Sequence, residues 1–171
     1  VASMAMELIS MEHWDAYFDN EADLKRAKIE HLEDIISVLP WIATVDKFQH
    51  WIYENPNHTA EERKTEWVKT FEQFSDTTTD WSGLEKFKES NWHRQLHIFE
   101  LPFYYIEYGM AQLGAISVWR NYKKDPKKGL EAYLRGLRMG YTGTIGQIYE
   151  AMDIKFDFSK AYISELMDFV K

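Results

Sequence analysis

The 171 residues include no cysteine, 28 acidic against 20 basic side chains for a net charge of −8, and 7 Trp, 10 Tyr and 10 Phe. A chain of this length suggests one domain that buries about 70% of its unfolded surface, and without cysteine it has no disulfide framework, thiolate metal site, iron–sulfur cluster or cysteine nucleophile. The acidic balance argues against nucleic acid as a partner; the short apolar runs argue against a membrane, and no basic-then-apolar leader is visible, which points to a soluble, cytoplasmic protein.

Helical spacing covers most of the chain. Residues 1–18 place Met4, Leu8 and Met11 on one stripe, closed by Asp19-Asn20. Asn20 reads as an N-cap with Glu21 and Asp23 in the first turn, where the helix dipole favours acids. Apolar positions then run from Leu24 to Leu39, a kink or break is expected at Pro40, and Ile42, Val45, Phe48 and Ile52 resume the pattern up to the loop Asn55-Pro56-Asn57. Thr59 and Glu62 form a capping box ahead of Trp67, Val68, Phe71 and Phe74. After the loop 76–80 the pattern predicts a helix over about 83–96, then a long one starting at Pro102 and ending near Tyr122. Asp125-Pro126 starts a further helix ending at Gly140, Thr144 with Gln147 caps another, and Ser159 caps the last. Residues 154–158 alternate for only five positions, too few for a strand. The expected fold is all-α, with roughly eight helices and no internal repeat. The chain opens at Val1 already in helical character and without a cap, which reads as a piece of a longer protein cut inside a helix.

Few constellations could carry chemistry. Metal ligands would have to come from His, Asp and Glu, and no H-E-x-x-H occurs among the residues. No G-x-S-x-G supports a serine nucleophile. The glycines between Gly140 and Gly146 lack the lysine and the strand of a phosphate loop and read as a turn. His93 and His97, four apart with Glu100 beyond, would share one helical face, although spacing fixes no third ligand. The segment 97–109 is richer: Tyr104, Tyr105 and Tyr108 fall at neighbouring positions of one expected helix, just after His97. Phenol and imidazole donors fixed in a cleft suit a developing oxyanion. The competing reading is an aromatic core stripe whose hydroxyls reach the surface.

At that segment, His97-Ile98-Phe99-Glu100-Leu101-Pro102-Phe103-Tyr104-Tyr105-Ile106-Glu107-Tyr108-Gly109, the chain resembles the C-terminal part of the oligoendopeptidase F family, relatives of thimet oligopeptidase among zinc metallopeptidases. Residues 39–46, 48–53, 148–151 and 156–159 extend the likeness over essentially the whole length. The resemblance implies a thimet oligopeptidase- or neurolysin-like fold, with residues 1–171 as the C-terminal helical part of its catalytic domain. It further implies zinc held by two His of H-E-x-x-H and a later Glu that opens an E-V-A-S stretch. Val1-Ala2-Ser3 matches the end of that stretch, so the third ligand would precede Val1, and no metal ligand is expected in this chain. Glu7 matches a second acid that would orient the metal's ligands, a role whose loss commonly costs about 10–100-fold. His97 and Tyr105 become candidates to stabilise the tetrahedral intermediate, and Tyr108 and Tyr104 to contact substrate, with the choice between Tyr104 and Tyr105 open.

The implied function is hydrolysis of short peptides by an intact zinc enzyme. The chain alone would then be inactive, bind no zinc, require the missing N-terminal part of the same protein as its partner, and be prone to self-association through apolar surface left bare. The alternative is a free-standing helical module whose aromatic groove binds a peptide or partner helix without catalysis.

Overall fold

The structure, a computed structural model, describes residues 1–171 and contains helices and no β-strand. Nine α-helices follow one another: α1 (Ala2–Ser10), α2 (Glu21–Glu54), α3 (Ala60–Phe74), α4 (Glu85–Ser90), α5 (His97–Glu100), α6 (Ile106–Lys124), α7 (Pro126–Met139), α8 (Ile145–Ala151) and α9 (Lys160–Val170). Tight 3-10 turns occupy Met11–Ala16 and Asn91–Arg94. No helix is long and apolar enough to cross a membrane.

Local capping sets most helix starts. Thr59 and Glu62 exchange side-chain and backbone bonds at the head of α3, and Thr144 and Gln147 do the same at α8. Asp125 accepts from the Lys128 N–H with Pro126 in the first turn of α7, and Ser159 caps α9. Asn20 accepts from the Asp23 N–H at 2.8 Å, ahead of α2. Each satisfies a backbone donor that a helix end leaves orphaned, typically worth ~1 kcal/mol.

Four boundaries differ from the sequence pattern. The first helix ends at Ser10, whose hydroxyl donates back to the Glu7 carbonyl at 2.9 Å, and continues as a 3-10 turn. The segment expected as one helix over 83–96 is α4 followed by a 3-10 turn, and Gln95-Leu96 is outside both. At Pro40 there is no break: α2 runs on for 34 residues. Proline there removes one ladder bond at a cost of about 3 kcal/mol, but Ile35, Ile42, Val45 and Phe48 are buried on either side of it, and their burial at ~1.5–3 kcal/mol each outweighs the loss. Pro102 does not begin a helix. It lies in a turn, and α6 starts only at Ile106.

The chain forms two compact units, Val1–Glu33 with Met110–Lys171, and Asp34–Gly109. In the first, Tyr133 donates to the Ala2 carbonyl at 2.9 Å and Tyr149 to the Met110 carbonyl at 2.8 Å, tying α7 to α1 and α8 to α6. Here α6 and α7 meet at Gly129, where a Cβ would lie 2.5 Å from the Tyr122 Cα. In the second unit, Val45, Phe48, Trp67, Trp92 and Ile98 form the core, with Trp41, Trp51, Phe71 and Tyr105 packed around it. Its aromatics meet mostly edge to face, Phe48 against Trp67 at 5.1 Å and against Trp92 at 5.5 Å, the geometry that ring quadrupoles prefer.

Candidate active site

Within the second unit, α2 supplies the residue that shapes the turn leading to α6. Gln49 is fully buried; its Oε1 accepts from the Phe103 N–H at 2.8 Å and its Nε2 donates to the Ile98 carbonyl at 3.2 Å. Phe103 is held at φ +56°, a backbone region that costs a non-glycine residue roughly 1–3 kcal/mol. The Gln49 bond and the ring contacts with His50 (4.7 Å) and Tyr53 (4.8 Å) offset that strain. The reversal at Phe103 sends the chain from α5 back into α6, so that residues on both sides of the turn meet.

His97 opens α5, Tyr104 and Tyr105 lie in the turn, and Tyr108 is in the first turn of α6. The His97 ring is 5.0 Å from Tyr105, 5.6 Å from Tyr108 and 6.2 Å from Tyr104, where it lies nearly parallel. Tyr108 is 5.2 Å from Tyr105 and 5.6 Å from Tyr104, edge to face in both cases. The His97 Nε2 lies 3.1 Å from the Tyr108 hydroxyl. From α2, the Trp41 indole N–H reaches both the Tyr105 hydroxyl and the Gln95 Oε1, each at 3.1 Å. The Arg94 guanidinium covers the Trp41 ring at 4.4 Å. Burial pushes the Tyr105 phenol above its ordinary value, while the Trp41 bond pulls the other way; Tyr105 therefore keeps its proton at neutral pH and remains a donor.

The sequence of the chain matches the family model of peptidase family M3 over residues 1–168. The chain belongs to peptidase family M3. Among solved structures it is similar to a protein provisionally described as oligoendopeptidase F, with 30% identity and a TM-score of 0.83, covering 98% of this chain and 29% of that one. It is also similar to PZ peptidase A solved with an inhibitor, with 28% identity and a TM-score of 0.81, covering 98% of this chain and 30% of that one. The chain thus spans less than a third of the length of either. No curated protein matches it significantly.

This M3 chain brings His97, Tyr104, Tyr105 and Tyr108 together as their spacing suggested, but through a turn rather than along one helix. Tyr104 is the exposed member; His97, Tyr105 and Tyr108 are half-buried. Glu7 is exposed on α1, in the other unit. His93 and His97 do not share a helical face, because the chain leaves helical geometry at Gln95 between them. The His93 ring instead packs on Trp92 at 4.1 Å. No group of three or more His, Asp or Glu in the chain is placed to hold a metal ion.

Three residues at this site went unassigned in the sequence: Gln49, Trp41 and Gln95. Trp41 and Gln49 lie in segments that carry the family resemblance, which was the available signal. Gln95 lies outside those segments, and the Trp41 indole that orients it is 54 positions away.

Proposed function

We propose that this chain is the substrate-polarising part of a zinc-dependent oligoendopeptidase that hydrolyses short peptides inside the cell. His97 and Tyr105 stabilise the tetrahedral intermediate, Tyr108 and Tyr104 bind the substrate beside it, and Glu7 orients the ligands of the metal. One observation carries this reading. The Tyr105 and Tyr108 hydroxyls each lie 3.1 Å from a ring nitrogen of Trp41 or His97. The indole can only donate, so the Tyr105 oxygen accepts and keeps its own proton for a ligand.

When a peptide carbonyl is attacked, negative charge grows on its oxygen. Donors that are already fixed stabilise that charge without reorganising, and one such donor is typically worth about 10²–10³ in kcat. Tyr105 is fixed by Trp41 and by the core on which it packs. Zinc, the group the family resemblance implies, would activate the attacking water in the intact protein. The residues of this chain do not by themselves fit a zinc site, since no three potential ligands converge; the ligands and the general base would come from the remainder of the enzyme. The chain alone is accordingly expected to be inactive and to need that remainder as its partner.

The test is hydrolysis of a quenched fluorescent peptide by the intact protein, with zinc content measured in parallel. His97→Ala and Tyr105→Phe should each lower kcat by roughly 100-fold or more while zinc content stays unchanged. Zinc and activity lost together, or activity retained in both variants, would sink the assignment.

A further inference from the structure

Gln95 lies between the 3-10 turn Asn91–Arg94 and α5, and its main chain is tied on both sides. Its N–H donates to the Trp92 carbonyl at 3.0 Å and its carbonyl accepts from the Ile98 N–H at 3.1 Å. The side chain is therefore presented from a fixed point, with Trp41 at 3.1 Å on its Oε1 and His97 Nδ1 at 2.7 Å from its Nε2.

Donor and acceptor chemistry removes the usual ambiguity of an amide and an imidazole. An indole N–H only donates, so the end of the Gln95 amide facing Trp41 has to be the oxygen. The end facing His97 is then the NH₂, which has no lone pair to offer. His97 Nδ1 must accept, and the one proton of the neutral imidazole sits on Nε2. That N–H points at the Tyr108 hydroxyl, 3.1 Å away, which accepts it in the resting site and which a substrate oxyanion would replace as its acceptor. The opposite tautomer would set N–H against N–H at the Gln95 contact and would use the Tyr108 proton to satisfy His97.

We propose that Gln95 is a positioning residue: its amide, oriented by the Trp41 indole, holds the His97 proton on Nε2 and thereby leaves the Tyr108 phenol proton free for the substrate. The hydrogen-bond order is a property of this chain; its use in hydrolysis rests on the function proposed above. Trp41 is the origin of the order. One indole N–H orients Tyr105 directly and Tyr108 through Gln95 and His97, so both phenols present donors outward.

Histidine ¹⁵N spectra of the chain test the order without any activity, with His97→Gln identifying the His97 signals. The wild-type chain should show an unprotonated, pyridine-type Nδ1 and a protonated, pyrrole-type Nε2 at His97. Gln95→Glu is nearly isosteric but offers acceptors at both ends, so in spectra taken at alkaline pH, where the imidazole is neutral, it should draw the proton to Nδ1 and reverse the two signals. A protonated Nδ1 in the wild type overturns the proposal even if the variant fails to fold, and so does a folded Gln95→Glu chain with an unchanged tautomer. In the intact protein, Gln95→Glu should lower kcat about 10–100-fold with little change in KM. A reversed tautomer with undiminished hydrolysis would refute the catalytic use of the Gln95–His97–Tyr108 order, while the order itself would stand on the spectra and the role of Tyr105, held directly by Trp41, would be judged by Tyr105→Phe alone.

Discussion

The backbone N–H of Phe103 donates to the side-chain oxygen of Gln49 across 2.8 Å, joining residues 54 positions apart. With the Gln49 amide on the Ile98 carbonyl at 3.2 Å, one buried side chain of α2 satisfies both a donor and an acceptor of the segment that carries His97 and the tyrosines.

Gln49→Leu keeps much of the volume but orphans these two groups, and each buried unsatisfied group costs about 1–3 kcal/mol. Urea denaturation of the chain should therefore show a clear loss of stability. Gln49→Glu retains the acceptor for Phe103 but sets a buried carboxylate against the Ile98 carbonyl, so at neutral pH it should cost at least as much as Gln49→Leu. An unchanged midpoint for Gln49→Leu would mean that the turn is held by ring packing alone.

Which features were legible from the sequence follows from how local their causes are. Thr59 with Glu62, Thr144 with Gln147, and Asp125-Pro126 act on N–H groups within three positions, and the helices start where those residues place them. Pro40 and Pro102 carry equally strong local signals, yet burial along α2 overrides the first and Gln49 overrides the second. The clustering of His97 with three tyrosines was legible as an aromatic stripe, but a helix would place Tyr104 and Tyr105 about 100° apart on its surface. The turn at Phe103 instead turns both toward His97, and its cause is a hydrogen bond from a distant helix. The Trp41–Gln95–His97 order was not legible at all, since it depends on which atoms face each other in space.

Asp46 links stability to pH. Its Oδ1 is buried without a hydrogen-bond partner, and its Oδ2 lies 3.7 Å from His50 Nε2. Burial raises its carboxyl above the ordinary value of 3.8, with the His50 charge opposing. A raised folded value means that the stability this group contributes is fully present below 3.8 and is lost as pH rises through the raised value. Asp46→Asn should therefore be more stable than wild type at neutral pH, and the difference should vanish in acid. Equal stabilities across that range, by thermal or urea unfolding, would contradict the direction of the shift.

Two glycines should respond in opposite ways to alanine. At Gly146 in α8 a Cβ meets nothing within 4 Å, so Gly146→Ala should stabilise the chain by up to about 1 kcal/mol through helix propensity. At Gly129 the Cβ would meet the Tyr122 backbone at 2.5 Å, and backbone cannot rotate away. Gly129→Ala should force α6 and α7 apart and cost about 1–3 kcal/mol. Parallel melting curves decide it, and a stabilised Gly129→Ala chain would show that the crossing is looser than these distances imply.

The adjacent tyrosines separate by what holds them. Tyr105 is half-buried against the core, with its oxygen fixed by Trp41, whereas Tyr104 is 45% exposed and meets His97 only face to face at 6.2 Å. A preorganised donor stabilises charge as it forms, while a mobile one must be ordered at the moment of reaction and contributes mainly to binding. In the intact protein, Tyr105→Phe should thus lower kcat by roughly 100-fold with KM little changed, and Tyr104→Phe should raise KM with kcat nearly intact. Trp41→Phe preserves a ring on the core but removes the indole N–H, so it should reproduce the kcat loss of Tyr105→Phe in large part. Combining Trp41→Phe with Tyr105→Phe should then cost much less than the product of the two single losses, because both act on the same donor. Fully multiplicative losses would separate Trp41 from Tyr105 and leave the indole to act only through Gln95 and its packing on the core.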